Sequence, residues 1–272
     1  MTESRPHAAA EARAQTPNRG TRPENSETEA DVSRTVREMF TQIAPRYDFL
    51  NHLLSLELDR LWRARTARIL RPILQRANAR VLDLCCGTGD LAFALSREGP
   101  AQILGADFSH AMLQRAIAKS ASIANNSTPS APSQRTRFIE ADALRLPFAD
   151  ASFDLVTTAF GFRNLANYEA GLREIRRVLK PGATIAILEF SDPPPGLIGD
   201  LYRFYCRKLL PKIGAALSGN AAAYKYLPAS VARFFRPEEL SALLTQTGFT
   251  QPQVHLWTFK SLALHVAIKT NP

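Results

Sequence analysis

Apolar positions along the chain change their period from one segment to the next. Short apolar runs at residues 80–85, 102–107, 137–140, 153–159, 184–190, 253–258 and 263–269 predict strands. Segments 90–97, 110–119, 168–179 and 237–247 carry helical spacing, and in the third Leu172, Ile175, Val178 and Leu179 recur on one face. "KPGA" from Lys180 stops that helix with Pro and Gly, while "RPEEL" opens the last one with Pro in its first turn and acids near its positive end. Strands alternating with helices predict an α/β domain built on a doubly wound, mostly parallel sheet. The short gap at residues 260–262 predicts that the last two strands form an antiparallel hairpin, which departs from an ordinary Rossmann sheet.

Ahead of the first strand, "VREMFTQIAPRYDFLNHLLSLELDRLWRARTARIL" is helical in pattern and broken at Pro45. Residues 33–75 are therefore expected to pack as a helical lid over the mouth of the sheet. Residues 1–32 are polar with little apolar content and predict a disordered tail, leaving 33–272 as one folded domain. The polar stretch "SASIANNSTPSAPSQ" at 120–134 predicts a long surface loop. At 272 residues and 45% hydrophobic, the chain is long enough for one large core. It has no apolar run of the roughly 18 residues a membrane span needs and no apolar signal sequence at its start. Three cysteines, of which Cys206 stands far from the adjacent Cys85 and Cys86, do not make a disulfide framework. A reducing cytoplasm is the expected setting.

The net charge of +9 directs attention to residues 200–236. There Arg203, Arg207, Lys208, Lys212, Lys225, Arg233 and Arg236 face Asp200 alone, interleaved with Tyr202, Phe204, Tyr205, Tyr224, Tyr226, Phe234 and Phe235. This mixture suits contact with anionic lipid or RNA, or else a solvated basic face whose aromatics turn into the core.

The chemistry concentrates in "VLDLCCGTGD", residues 81–90. Gly87, Gly89 and Ala92 fit G-x-G-x-x-A between a strand and a helix, and Asp107 at the end of the second strand is placed to hold the ribose hydroxyls of an adenosine. Dinucleotides and S-adenosylmethionine share this layout. Asp83, four residues before Gly87, decides between them. A pyrophosphate beside it would meet a like charge, at roughly 4 kcal/mol for a separation of about 4 Å. An ammonium and a sulfonium would be attracted. Asp142-Ala143, just after the third strand, adds a further acid where the adenine amino group would lie. The cysteine pair has no His or Cys partners at ligand spacing, so no metal site is expected.

"YDFLNHLLSLELDRLW" (47–62), "DLCCGTGD", "FGFRN" (160–164) and "RVLKPGATIAILEFS" (177–191) together resemble the ubiquinone/menaquinone biosynthesis C-methyltransferases, from about Val36 to Ile268. The resemblance implies a class I S-adenosylmethionine-dependent methyltransferase fold, Rossmann-like, with a mostly parallel seven-stranded sheet and an antiparallel last strand. It implies S-adenosyl-L-methionine as donor, a polyprenylated quinol methylated at carbon as acceptor, and cofactor contacts from Thr88, Asp107 and the Asp142-Ala143 pair. The chain departs from the family pattern at Asp59, where His is usual, at Ala183 in the Pro-Gly turn, and at Ala159 just before "FGFRN". "IAPRYDFLN" and "CCGTGD" look more like members that methylate demethylmenaquinol, with a methoxy-benzoquinol of ubiquinone synthesis as the alternative. An RNA methyltransferase would share the donor fold, but no accessory RNA-binding module is present and no nucleic acid partner is expected.

Carbon methylation requires the two reactants in line, loss of a quinol hydroxyl proton, and exclusion of water. For the proton step the candidates are Arg163, stabilising a phenolate or orienting a water, and Asn164, bonding the ring oxygen. Arg163 has a structural alternative, an ion pair with Glu189 or Glu174, and Tyr47, Asp48 and His52 on the lid are weaker candidates. Residues 193–235 are expected to face substrate and membrane, giving a cytoplasmic protein peripherally attached to the inner face of the cell membrane. A homo-oligomer is left open.

Overall fold

The computed structural model describes residues 20–23, 26–125, 136–193, 196–204, 226 and 229–271. Seven strands form one sheet in the order β3-β2-β1-β4-β5-β7-β6. They are β1 (Arg80–Leu84), β2 (Gln102–Asp107), β3 (Thr136–Glu140), β4 (Phe153–Ala159), β5 (Leu179–Phe190), β6 (Gln253–Trp257) and β7 (Leu262–Ile268). Pairings from β3 through β5 are parallel, and β7 runs antiparallel to both neighbours, inserted between β5 and β6. The predicted sheet and its terminal hairpin are both present.

One boundary differs from the pattern reading. Strand β5 begins at Leu179, before "KPGA", and not at Thr184. Phe153 pairs with Leu179 and Leu155 with Thr184, so Lys180 to Ala183 are an extra loop of strand, with Gly182 at φ +71 turning it. Pro and Gly here end a helix and make a bulge, which the same residues signal equally well.

Helices cover both faces. Helix α1 (Glu29–Ile43) opens on a capping box, in which Thr28 Oγ1 accepts from the Asp31 N–H at 3.1 Å and Asp31 accepts from the Thr28 N–H at 3.2 Å. A 3-10 turn (Ala44–Arg46) at Pro45 leads into α2 (Tyr47–Leu54), α3 (Leu58–Ile69) and α4 (Arg71–Leu74). Next come α5 (Asp90–Ser96), α6 (His110–Asn125) and α7 (Tyr168–Val178), the last capped by Asn167. Helices α8 (Leu197–Phe204) and α9 (Pro237–Gln246) follow β5.

Against one face of the sheet, Leu82, Phe153, Phe162, Tyr168, Leu172 and Ile175 form a closed core. Against the other, Trp62 of α3, Leu74 of α4 and Leu70 between them pack with Leu91, Leu95 and Leu155. Of the stretch expected to form a lid, α1, the 3-10 turn and α2 lie outside these two cores and pack in separate apolar clusters. Helices α3 and α4 are a structural layer of the domain.

Three other expectations shift. Helix α1 starts at Glu29, and Gly20 and Thr21 are buried, the Thr21 N–H donating to Leu165 O at 2.8 Å. The segment read as tail therefore joins the fold at its end, while residues 1–19 lie outside the described residues. Helix α6 continues through Ser120 to Asn125, because Ala and Ile keep its period going, and the rest of that expected loop is outside the described residues. In the basic-aromatic stretch, Tyr202 has no described side chain, and Tyr205, Arg207, Lys208, Lys212, Tyr224 and Lys225 lie outside the described residues. Of those described, Phe234 packs edge-on to Phe162 and Tyr168, and Arg203 bonds Asp200 and the Pro193 carbonyl, so these side chains are turned inward or already paired.

Candidate active site

The site lies at the carboxyl ends of β1, β2 and β4, where the parallel strands hand the chain to the helices that follow. Two cavities adjoin there. The larger, about 670 Å³ including its mouth, is lined by Asp107, Asp142, Ala143, Phe40, Phe160 and Asn164 among others. The smaller, about 320 Å³, is lined by Asp83, Arg63, Asp90, Thr88, Cys86 and Leu91. Tyr47, Cys85 and Ala159 belong to both walls and mark the junction.

The backbone at the end of β1 is built for close approach. Cys85, Gly87 and Gly89 all have positive φ, at 54°, 55° and 85°. Gly89 starts α5, and a Cβ there would stand 2.9 Å from the Phe138 ring, so this glycine serves packing. Gly87 lies under the lid, where a Cβ would stand 3.9 Å from the Tyr47 ring. Its N–H donates to Asp107 Oδ2 at 2.8 Å, and the Ser109 N–H donates to Oδ1 at 2.9 Å. Burial pushes Asp107 up to about 6 in spite of these bonds.

Asp83 sits at the same level of the sheet as Thr157 on β4 and takes its hydroxyl at 2.8 Å. Its other oxygen, Oδ2, is buried with no partner. Burial pushes this carboxyl up to about 7, against the Thr157 bond, the field of Arg63 and the backbone N–H of Ala92. A carboxylate in the wall of a cavity, with one buried oxygen lacking a partner, favours a cation in that cavity.

Thr88 is already engaged. Its hydroxyl donates to Asp48 on α2 at 2.5 Å and accepts from Lys119 on α6 at 3.0 Å. Lys119 also pairs with Asp48 at 2.8 Å and Asp90 at 2.6 Å. Arg63 pairs with Asp59, which takes Ser55 Oγ at 2.7 Å and His52 Nδ1 at 2.8 Å. This chain of charges clamps the lid to the glycine turn. His52, Asp59 and Asp90 converge within 4.8 Å, but Arg63 and Lys119 already match both carboxylates, so the cluster makes no case for a metal.

The structure separates the two catalytic candidates. Asn164 lines the larger cavity, its Oδ1 accepting from Tyr226 at 3.0 Å. Arg163 is 4% exposed and lies behind that wall. Its Nη1 donates to Glu189 Oε2 and to Phe160 O, both at 2.7 Å, and its backbone N–H donates to Glu189 Oε1. Glu189 is thus the partner that the structural alternative named, and Glu174 instead takes Arg177 and the Leu146 N–H. A guanidinium neutralised in this way holds the 160–164 turn. Cys85 and Cys86 are free thiols that burial pushes well above their ordinary range, which makes them poor nucleophiles and poor ligands.

Sequence reasoning gave no role to Lys119, Asp90, Arg63 and Thr157, and it named Glu189 only as an ion-pair alternative and Tyr226 only within the basic-aromatic stretch. Only Arg63, four residues after Asp59 on one helix, leaves a local trace. The other contacts join residues far apart in the chain.

Solved structures share the fold at low identity. A SAM-dependent methyltransferase from Thermotoga maritima, described as a possible histamine N-methyltransferase, superposes with a TM-score of 0.57 at 19% identity, covering 86% of this chain and 99% of that one. Another from Aquifex aeolicus gives 0.52 at 17%, covering 74% and 87%. Curated relatives stand much nearer. Demethylmenaquinone methyltransferase of Thermus thermophilus is 48% identical over 229 residues, 84% of this chain and 98% of the relative. That of Deinococcus radiodurans is 49% identical over 224 residues, covering 80% and 86%. A protein of Geotalea daltonii named ubiquinone/menaquinone biosynthesis C-methyltransferase UbiE is 43% identical over 222 residues, covering 81% and 90%. With residues 27–269 matching its family pattern, and the sheet, glycine turn and acid-lined cavities all in place, the chain belongs to the ubiE/COQ5 methyltransferase family.

Proposed function

We propose that this methyltransferase moves a methyl group from S-adenosylmethionine to a ring carbon of demethylmenaquinol, giving menaquinol. The observation that carries the proposal is Asp83, with one buried oxygen unpartnered, in the wall of a small charged cavity that adjoins a larger, mostly apolar one. A cationic amino-acid tail fits the first and an adenosine with an aromatic acceptor fits the second. Asp107 and Asp142 would meet the ribose and the adenine, with Ala143 against the ring. When bound, S-adenosylmethionine supplies the methyl as an electrophile and leaves as a neutral thioether.

The protein's own task is to hold and dry the acceptor. Phe40, Phe108 and Phe160 give the ring an apolar slot beside the junction at Tyr47 and Ala159. Asn164 Nδ2 donates one N–H to Phe160 O at 3.3 Å and has a second for the ring oxygen, while Tyr226 fixes its Oδ1. In the net reaction the S–CH3 bond breaks, a ring C–CH3 bond forms, and the proton from that ring carbon leaves to solvent. The hydroxyl proton lost to activate the ring is restored afterwards. Arg163 acts as a positioning residue through Glu189 and the Phe160 carbonyl.

The prenyl tail of such an acceptor lies in a bilayer, and a peripheral cytoplasmic contact with anionic lipid belongs to the same proposal. Among the described residues no helix is long and apolar enough to cross a membrane. The lid's outer side offers a surface: Phe49 is 61% and Leu56 76% exposed, with exposed Arg60 and Arg65 nearby in the chain. Loss of vesicle co-sedimentation on Phe49→Asp with Leu56→Asp, or on neutralising Arg203, Arg207, Lys208 and Lys212, is expected; binding indifferent to both sets removes the membrane contact.

The naming of near relatives favours the naphthoquinol, and the Geotalea daltonii relative keeps the benzoquinol of ubiquinone synthesis as a second acceptor. Side-by-side turnover of short-chain demethylmenaquinol and the corresponding methoxy-benzoquinol tests this. Faster methylation of the first is expected, and methylation of the second alone would reverse the assignment.

A further inference from the structure

The chain segment ahead of α1 is stitched to the turn that carries Asn164. The Thr21 N–H donates to Leu165 O at 2.8 Å, and Arg22 Nη1 donates to Ala166 O at 3.1 Å and to Thr21 O at 2.8 Å. Arg233 Nη1 in turn donates to Arg22 O at 2.8 Å. The approach is so close that a Cβ on Gly20 would lie 1.9 Å from the Ala166 oxygen. Leu165 and Ala166 line the larger cavity beside Asn164, so this strap backs the same wall. Val32 and Val36 of α1 cluster there with Ala166 and Tyr226.

The hydroxyl protons give the strap a direction of action. Tyr226 has one such proton and donates it to Asn164 Oδ1 at 3.0 Å. The Thr21 hydroxyl stands 2.9 Å from the Tyr226 oxygen and is therefore the donor of that pair. At its other end the Asn164 amide donates from Nδ2 to Phe160 O at 3.3 Å. An amide turned end for end would set its oxygen against that carbonyl. Thr21 thus commits the Tyr226 proton, Tyr226 commits Oδ1, and the second N–H of Asn164 is left over. Bonds in such a chain polarise one another, so each strengthens the next.

We infer that Thr21 is a positioning residue for methyl transfer: through Tyr226 it holds the Asn164 amide with an N–H for the ring oxygen of the acceptor. This role rests on the quinol-methylation proposal. Negative charge builds on that oxygen as the ring is activated, so a fixed N–H there matters most in the transition state and acts on kcat more than on KM.

Steady-state methylation of short-chain demethylmenaquinol by the full chain tests this, with calorimetric binding of S-adenosylhomocysteine and a melting curve for each variant. Thr21→Val keeps the side chain's shape and removes its hydroxyl. It is expected to lower kcat roughly 3- to 10-fold, the effect of about one neutral hydrogen bond, with KM for the quinol and S-adenosylhomocysteine affinity within about twofold of wild type. Thr21→Ser, which keeps the hydroxyl, should recover most of the rate. Tyr226→Phe should lose at least as much as Thr21→Val, and joining the two should cost nothing further. A strap that only stabilised the fold would add its loss in full beside Tyr226→Phe. Should Thr21→Val not fold, Tyr226→Phe joined to Asn164→Ala carries the same reading, and the pair should be no slower than Asn164→Ala alone. Wild-type kcat in Thr21→Val, or full additivity in either pair, overturns the inference and leaves the proposed function standing. A wild type that transfers no methyl to the quinol removes the proposed function, and this inference with it.

Discussion

Gly161 stands so close to Cys85 that a Cβ built on it would lie 2.3 Å from the cysteine Cβ. The turns that follow β1 and β4 can touch there because one has no side chain and the other a small one. Both are strained turns, with Cys85 at φ 54° and Phe160 at φ 60°. Gly161→Ala is therefore expected to cost at least the 1–3 kcal/mol typical of overpacking, read by denaturant unfolding. Cys85→Gly in the same chain removes the clash at a position whose φ suits glycine, and should recover much of that loss. A neutral Gly161→Ala would contradict the packing.

Of the two adjacent cysteines, Cys85 matters here for its small size. Strands and helices were legible because their apolar periods are local. The boundary that failed, at Leu179, did so because Pro and Gly mark a helix stop and a bulge alike. The place of Asp83 near the carboxyl end of β1 could be read from sequence, since the apolar run and the glycine turn around it are local. The Arg163–Glu189 pair was legible only as one of two alternatives. The Asp48–Lys119–Asp90 clamp left no trace, because 71 and 29 residues separate Lys119 from its partners.

The pH response follows from Asp83. Burial raises its carboxyl to about 7 in the folded protein, from an ordinary 3.8. A raised folded value means that the native state holds a proton the unfolded chain releases, so this group's contribution to stability is present below about pH 4 and is lost as pH rises through about 7. Asp83→Asn escapes that loss. Its ligand-free melting temperature should gain most on wild type at about pH 8, gain less near pH 5, and show no pH-dependent gain below about pH 4. Binding has the opposite slope, because an ammonium needs the carboxylate: wild-type affinity for S-adenosylhomocysteine should rise about tenfold per pH unit up to about 7 and then level off. Flat affinity from about pH 5.5 to 8 would separate Asp83 from the ligand.

Lys119 links the lid to the glycine turn through Asp48 and Asp90, with 29% of its side chain exposed. Water screens such a pair, so Lys119→Met should lower global stability by no more than about 1 kcal/mol. The local effect should be larger. Hydrogen exchange of the α2 amides is expected to quicken severalfold, while that of β1 and β4 stays as in wild type. Unchanged α2 exchange would mean that the packing of Ile43 and Leu50 against Met112 holds the lid by itself.

Arg163 and Glu189 are both buried, and either one alone is an unpaired charge in the core. Glu189→Gln or Arg163→Met is expected to cost about 3–5 kcal/mol, whereas Arg163→Met combined with Glu189→Leu should regain a large part of it. Asn164→Ala differs, since Asn164 lines the larger cavity. It should lower kcat at least tenfold and leave S-adenosylhomocysteine affinity within about twofold, as expected for a group that meets the acceptor. If Asn164→Ala instead weakened ligand binding in parallel with kcat, its place would be with the cofactor.

Carbon methylation of a quinol ring is tested most directly by locating the methyl group. The full chain would be incubated with methyl-labelled S-adenosylmethionine and short-chain demethylmenaquinol, and the product resolved by mass spectrometry and carbon NMR. One labelled methyl bonded to the ring carbon, absent from the Asp83→Asn reaction under the same conditions, is the predicted result. Label on a quinol oxygen, or no label in the quinol while S-adenosylhomocysteine binds, would contradict it.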